Sequence, residues 1–268
     1  MIHFKRLTIE RKPEIDALLH RAAHRGCAFS FANLYLWGRQ CAAPVGEDLL
    51  LFSHYAGRTM YPYPVCAGDP RPALDALMAD ARERGIPFRL SGLNREDVEH
   101  LQSWYPDQFV FHCGRGGHDY VYAIDDLADL KGRKYQKKRN HTNRFRADHP
   151  DYTVVPLTPC NMPMAQHMIN DWYTTRMKED PEGDYLLENI ALARAFQNFE
   201  VLEMEGIMLM DQGKVLAVTM GSKLREDTFD IHFEKAREDV EGAYAAVNCE
   251  FARYLRLKYP DIAYLDRE

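Results

Sequence analysis

The chain has 268 residues, 46% of them apolar and 28% charged, which is ordinary for a soluble globular protein of one large or two small domains. There is no run of about 18 apolar residues, and the first fifteen residues lack an apolar core, so neither a transmembrane helix nor a signal peptide is expected. The net charge is −6, and six scattered cysteines with no C-x-x-C pair, together with histidines that form no H-E-x-x-H motif, point to reduced thiols in a cytoplasmic protein without a disulfide framework, zinc site or structural metal.

Taken in chain order, residues 12–36 read as helical, because Ile15, Leu18 and Leu19 recur at helical spacing and Pro13 suits a first turn. A second short helix over 32–37 is capped by Ser30 or a near neighbour. Residues 49–54 read as a strand, Gly57 as a turn, and 59–66 as a second strand whose prolines at 62 and 64 keep it from being a regular central one. Ala67-Gly-Asp-Pro70 is a turn, 72–84 a helix stopped by Gly85, and 88–93 a strand.

The second half follows the same order. Strands over 207–210 and 215–224 flank the turn Asp211-Gln-Gly-Lys214. After Arg225-Glu-Asp227 come a strand over 228–234, a loop over 236–241 and a helix over 243–258. Ala243, Val247, Phe251 and Leu255 make one apolar stripe on that helix. Tyr259-Pro260 ends it, and a further strand begins over 262–265. The repeat is one of order only, and it suggests two related α/β domains, 1–120 and 121–268, joined near 114–117 or 125–131.

Between the halves lies the segment KGRKYQKKRNHTNRFR, residues 131–146. It carries eight Lys/Arg and no acid, so +8 stands against −14 in the rest of the chain. Such a focused positive field attracts a polyanion: a phosphate, a nucleic-acid end or an anionic lipid surface. A solvated helix face would read the same way. If helical throughout, Leu130, Lys134, Lys138, His141 and Phe145 share a stripe, so Lys134 and Lys138 are expected to edge a cleft with packed stems and projecting heads.

Residues 229–235 alternate. Phe229, Ile231 and Phe233 are expected to face one side, and Asp230, His232 and Glu234 the other. Three titratable groups on one face could supply a general base, or could simply meet solvent. Asn248, on the apolar face of the next helix, needs a hydrogen-bond partner and reads first as a clamp on a neighbouring strand.

Three motifs together resemble a known family. They are Asp126-Leu-Ala-Asp-Leu-Lys-Gly-Arg-Lys-Tyr-Gln-Lys-Lys-Arg-Asn-His-Thr-Asn-Arg-Phe145, Ile231-His-Phe-Glu-Lys-Ala236 and Gly242-Ala-Tyr-Ala-Ala-Val-Asn248, supported by Phe29-Ser-Phe-Ala-Asn-Leu-Tyr-Leu-Trp37. The chain is similar over nearly its whole length to bacterial domains related to the C-terminal domain of phosphatidylglycerol lysyltransferase. The resemblance implies an α/β (α+β) fold of two tandem GNAT-like domains, each a mixed, mainly antiparallel sheet flanked by helices. The second domain is expected to be truncated at its end, where a helix and two strands would normally follow. It also implies an aminoacyl-tRNA donor, with transfer to an amine or hydroxyl acceptor. A GNAT acyltransferase would wrap coenzyme A pyrophosphate in a glycine-rich loop before the 243–258 helix. Here Glu238, Asp239 and Glu241 occupy that loop and are expected to repel it. The first-half equivalent, residues 67–72, has two prolines without N–H donors.

The reading is therefore an aminoacyl-tRNA-dependent acyltransferase. The acyl carbonyl would lie between splayed strands near residues 215–220 and 229–234, with Glu234, His232 or Asp230 as general base. Lys134, Lys137, Lys138, Arg139 and Arg144 would grip donor phosphates, and Tyr135 and Phe145 would stack on a terminal base. Asn140, Lys235 and Asn248 complete the candidate substrate-binding set. No tightly bound cofactor is expected, and the partner is a tRNA acceptor end or another phosphate-bearing donor. An acetyl-coenzyme A-dependent N-acetyltransferase and a non-catalytic anion-binding module remain alternatives.

Overall fold

The computed structural model describes every residue except 22–24, 56, 182, 184 and 268. Two compact units divide the chain, Met1–His118 and Asp119–Glu268. The fold class is α/β, with two mixed sheets flanked by helices.

The first unit contains β1 (Lys5–Arg6), α1 (Lys12–Leu19), α2 (Phe31–Trp37), β2 (Gln40–Val45), β3 (Asp48–Tyr55), β4 (Arg58–Pro62), α3 (Arg71–Arg84), β5 (Leu90–Ser91) and α4 (Arg95–Trp104). Its sheet runs β1-β2-β3-β4-β5, with β4 and β5 parallel and the other pairs antiparallel. The helix expected over 12–36 is interrupted. α1 ends at Leu19, and α2 starts only where Ser30 Oγ accepts the Asn33 N–H at 3.1 Å; residues 22–24 of that range lie outside the described residues. Leu50, Tyr61, Ala73, Leu77 and Ala81 form a core between strands and α3.

The second unit contains β6 (Tyr122–Ala123), α5 (Ile124–Asp129), α6 (Gln136–Asp148), β7 (Thr153–Pro156), α7 (Met162–Glu179), α8 (Leu186–Gln197), β8 (Met204–Asp211), β9 (Lys214–Arg225), β10 (Thr228–Ala236), α9 (Ala243–Lys258) and β11 (Tyr264–Arg267). The sheet order is β6-β11-β10-β9-β8-β7, and only β10 and β11 are parallel. A parallel pair needs a crossover, which α9 provides. The apolar stripe of α9 buries Val247, Phe251 and Leu255 completely, and Phe251 meets Phe229 edge-on at 5.8 Å. α5 and α6 pack beside α9, whereas α7 packs on β9 and β10.

Candidate functional site

The strand that carries the three expected titratable groups is not regular. β10 pairs with β9 as Asp230↔Ser222 and Ile231↔Gly221, then as Phe233↔Met220, Glu234↔Thr219 and Lys235↔Val218. His232 is the extra residue of a β-bulge. The bulge breaks the period of two, so Glu234 does not share a face with Asp230 and His232 as the alternation predicts. Glu234 falls on the Gly221–Thr219 side with Ile231, toward α9; Asp230, Phe233 and Lys235 fall on the Ser222–Met220–Val218 side, toward α7. Gly221 faces the bulge, and a Cβ there would collide with the Asp230 carbonyl oxygen. β9 and β10 remain paired along their length, so the expected splay between them is absent. Pairing of β10 with β11 covers Thr228–Ile231 only, while β10 runs on to Ala236.

On the α9 side, Glu234 is held from two directions. Arg267 Nη2 donates to its Oε1 at 2.8 Å, and Asn248 Nδ2 donates to its Oε2 at 3.3 Å. Asn248 is thus the clamp between α9 and a strand that its buried amide requires. Lys138, from the first turn of α6, lays its ammonium 5.1 Å from the Tyr122 ring centre and adds its positive charge near Glu234. Burial raises the Glu234 carboxyl above the usual carboxylate range, against the pull of Arg267, Asn248 and Lys138. Burial lowers Lys138, Arg267 lowers it further, and Glu234 opposes both. Thr219, the cross-strand neighbour of Glu234, buries its hydroxyl with no hydrogen-bond partner among the described residues. A buried acid, two cations, an amide and an unspent hydroxyl therefore converge on one spot.

The other side has a different chemistry. His232 Nε2 lies 2.8 Å from Ser222 Oγ, and its Nδ1 lies 3.3 Å from Asp230 Oδ2, with the His232 and Asp230 side chains wholly buried. Burial depresses His232 to about 4, so the ring is neutral at pH 7. The unfolded chain takes up this proton near pH 6.5, which makes stability complete above that pH and eroded as pH falls toward 4. Melting the chain between pH 7.5 and 4.5 should show a smaller acid loss in His232→Gln than in the wild type. Identical pH dependence would contradict the burial argument. Lys235 Nζ donates to Glu188 Oε1 at 2.7 Å and sits 4.1 Å from the Trp172 ring centre, while Tyr173 donates to the other Glu188 oxygen at 2.8 Å. Its charge is already committed inside the unit.

The basic segment divides. Its helix is shorter than the expected stripe assumed: Tyr135, Thr142 and Phe145 are buried, Lys138 is half-buried among them, and Lys134 precedes α6 and is exposed. Tyr135 and Phe145, at 4% and 0% exposure, are closed to a stacking base, which corrects that expectation. Arg139 donates to the carbonyls of Leu130 and Gly132, satisfying a chain turn rather than facing solvent. Arg144 pairs with Asp148 at 2.8 Å and approaches Glu241 at 3.8 Å, and Arg146 pairs with Glu250 at 2.7 Å. Lys134, Lys137 and Asn140 are exposed. The first turn of α6 contains Lys137, Lys138 and Arg139 and no acid. Cations at a helix N-terminus oppose the macrodipole.

The loop before α9 also differs from its expected charge. Glu238 meets Arg176 at 2.5 Å and Asp239 meets Arg237 at 3.1 Å, while Glu241 lies 3.8 Å from Arg144, an arginine that pairs more closely with Asp148. Gly242 caps α9 with φ +81°, and a Cβ there would run into the His141 carbonyl oxygen. Among the described residues, no group of His, Cys, Asp and Glu could hold a metal ion, and no helix is long and apolar enough to cross a membrane.

Sequence reasoning missed Arg267, Thr219 and Tyr122. Each reaches the site through strand pairing or helix packing; Arg267 does so as the last residue of β11, two positions beyond the strand expected over 262–265.

Among solved structures, a conserved protein of unknown function from Bacteroides thetaiotaomicron is 34% identical, with a TM-score of 0.91 over 100% of this chain and 90% of that one. L-PGS from Bacillus licheniformis has the same fold at 14% identity and a TM-score of 0.61, over 95% of this chain and 74% of that one. FemX does so at 9% identity and 0.57, over 99% and 88%. No curated protein matches the chain. The sequence profile described as "Phosphatidylglycerol lysyltransferase, C-terminal" matches residues 20–265, and the chain belongs to that family.

Proposed function

We propose that the second unit carries an acyl-transfer site of the aminoacyl-tRNA-dependent type, with Glu234 as general base. The observation that carries this reading is the buried Glu234 carboxyl, bound by Arg267 and Asn248 beside Lys138. A carboxylate raised by burial takes a proton more readily than an exposed one. In the transfer, an acceptor amine or hydroxyl attacks the ester carbonyl of the donor while Glu234 takes the acceptor's proton. The oxyanion draws on the cationic donors of Lys138 and Arg267. Collapse expels the ribose oxygen of the tRNA end, which receives the proton from Glu234. The acceptor thereby gains the aminoacyl group and every proton is accounted for.

A phosphate-bearing donor is supported by the α6 N-terminus. Lys134, Lys137 and Lys138 gather there, where the dipole disfavours them unless an anion is present. Binding of deacylated tRNA should therefore weaken steeply with salt. Lys134→Ala with Lys137→Ala should lower the slope of log affinity against log salt by about 0.7–0.9 for each phosphate that is no longer neutralised. A slope unchanged by the pair would remove the donor from this helix end.

Acetyl-coenzyme A is a second reading, favoured by the paired carboxylates of Glu238 and Asp239. With Glu238 and Asp239 each paired to an arginine, the start of α9 repels a pyrophosphate less than the sequence suggests. Stabilisation by coenzyme A of about 2.7 kcal/mol at a hundred times its Kd would favour it.

A further inference from the structure

We propose that His232 is a positioning residue: clamped by Ser222, it fixes the β10 bulge at its own place in the strand and so holds Glu234 on the α9 face of the sheet. The inference rests on the reading of Glu234 given above, but it concerns where the carboxylate is held rather than what it does.

A bulge is a mobile defect in principle. Moving it along the strand keeps the number of ladder hydrogen bonds, while every residue it passes changes face. If the bulge lay beyond Lys235, regular pairing from Ile231↔Gly221 would put His232 opposite Met220, Phe233 opposite Thr219 and Glu234 opposite Val218. Glu234 would then point toward α7, away from Asn248, and Phe233 would take its place under α9.

Two features oppose that slip, one from each strand. On β10, the His232 ring is wholly buried with Nε2 2.8 Å from Ser222 Oγ and Nδ1 3.3 Å from Asp230 Oδ2. Ser222 stands opposite Asp230 on the second-last regular rung before the bulge, so its hydrogen bond to Nε2 ties the extra residue back to a fixed ladder position on β9, while Nδ1 makes no hydrogen bond among the described residues. On β9, Gly221 leaves the space that the Asp230 carbonyl occupies, and no residue with a Cβ would allow this approach. A neutral ring suits the clamp, because it pairs Nε2 with the Ser222 hydroxyl without placing a charge in the buried site.

The test follows the Glu234 carboxyl by carbon-detected NMR titration of the full chain, assigned by its disappearance in Glu234→Gln. The groups that act on this carboxyl are Arg267 on β11, Lys138 on α6, and Asn248 and Tyr244 on α9, with Thr219 beside it on β9. In the wild type, burial is expected to hold its titration above the usual carboxylate range. Ser222→Ala and Gly221→Ala should each move that titration down toward the ordinary carboxylate value while the chain still melts cooperatively. Ser222→Thr, which keeps the hydroxyl, should preserve it. A Glu234 titration unchanged in folded Ser222→Ala and Gly221→Ala would overturn the proposal and leave the clamp a source of stability alone. The readout uses no substrate. Failure of the transfer reading would appear separately, as transfer that ignores Glu234 while its titration stays raised.

Discussion

Glu234→Gln is expected to slow acyl transfer by about 10²–10⁴-fold, the range that a positioned general base supplies, while donor affinity changes little. Glutamine keeps the length of the side chain and can still accept from Arg267 Nη2 through its carbonyl oxygen, so the pocket stays filled. What is lost is the capacity to take a proton. Asp230→Asn should behave differently. Asp230 is wholly buried on the opposite side of the sheet, so its replacement should alter stability more than rate. Single-turnover transfer from charged tRNA separates the two. A full rate in Glu234→Gln alongside a collapsed rate in a folded Asp230→Asn would transfer the base role to the other face.

Phe251→Ala is expected to cost about 3–5 kcal/mol of stability, the usual cost of emptying a buried phenylalanine site. Phe251 is fully buried on the α9 stripe and meets Phe229, two residues before the bulge region, edge-on at 5.8 Å. The same helix carries Asn248, so loosening α9 also loosens the clamp on Glu234. Urea denaturation of the full chain measures the loss. A cost under about 1 kcal/mol would mean that the α9–sheet contact is not what holds this unit together.

Much of the second unit was legible because its signals are local. The α9 stripe at Ala243, Val247, Phe251 and Leu255 gave the helix its observed bounds, and Asp211-Gln-Gly-Lys214 marked the β8–β9 turn. α4 has a local signal as well, since Asn94 and Asp97 make a capping box ahead of it, but it has no counterpart in the repeated order of the two halves. β2, with the sequence QCAAPV, has weak strand propensity and forms because β1 and β3 flank it. α7 and α8 bury residues at helical spacing, such as Ala165, Ile169 and Tyr173 or Ala191, Leu192 and Ala195, but exposed Met164, Met177, Leu186 and Ile190 blur those stripes in the sequence.

The site was legible as a set of residues and not as an arrangement. Alternation along β10 predicted one titratable face; a single extra residue made two, and nothing in residues 229–235 marks a bulge except Gly221 ten residues earlier on the partner strand. Charge counting likewise found the basic segment but could not say that Arg139, Arg144 and Arg146 would be spent on carbonyls and carboxylates within the unit. Partners at a sequence separation of about a hundred residues, such as Glu250 for Arg146, are fixed by packing alone.

The donor is the claim on which the functional account depends. Thermal melts of the full chain with deacylated tRNA, coenzyme A and acetyl-coenzyme A, each at low and at high salt, test it most directly. Stabilisation by tRNA at low salt that fades at high salt, with no response to coenzyme A, is the predicted result. Stabilisation by coenzyme A or acetyl-coenzyme A with none by tRNA would contradict it.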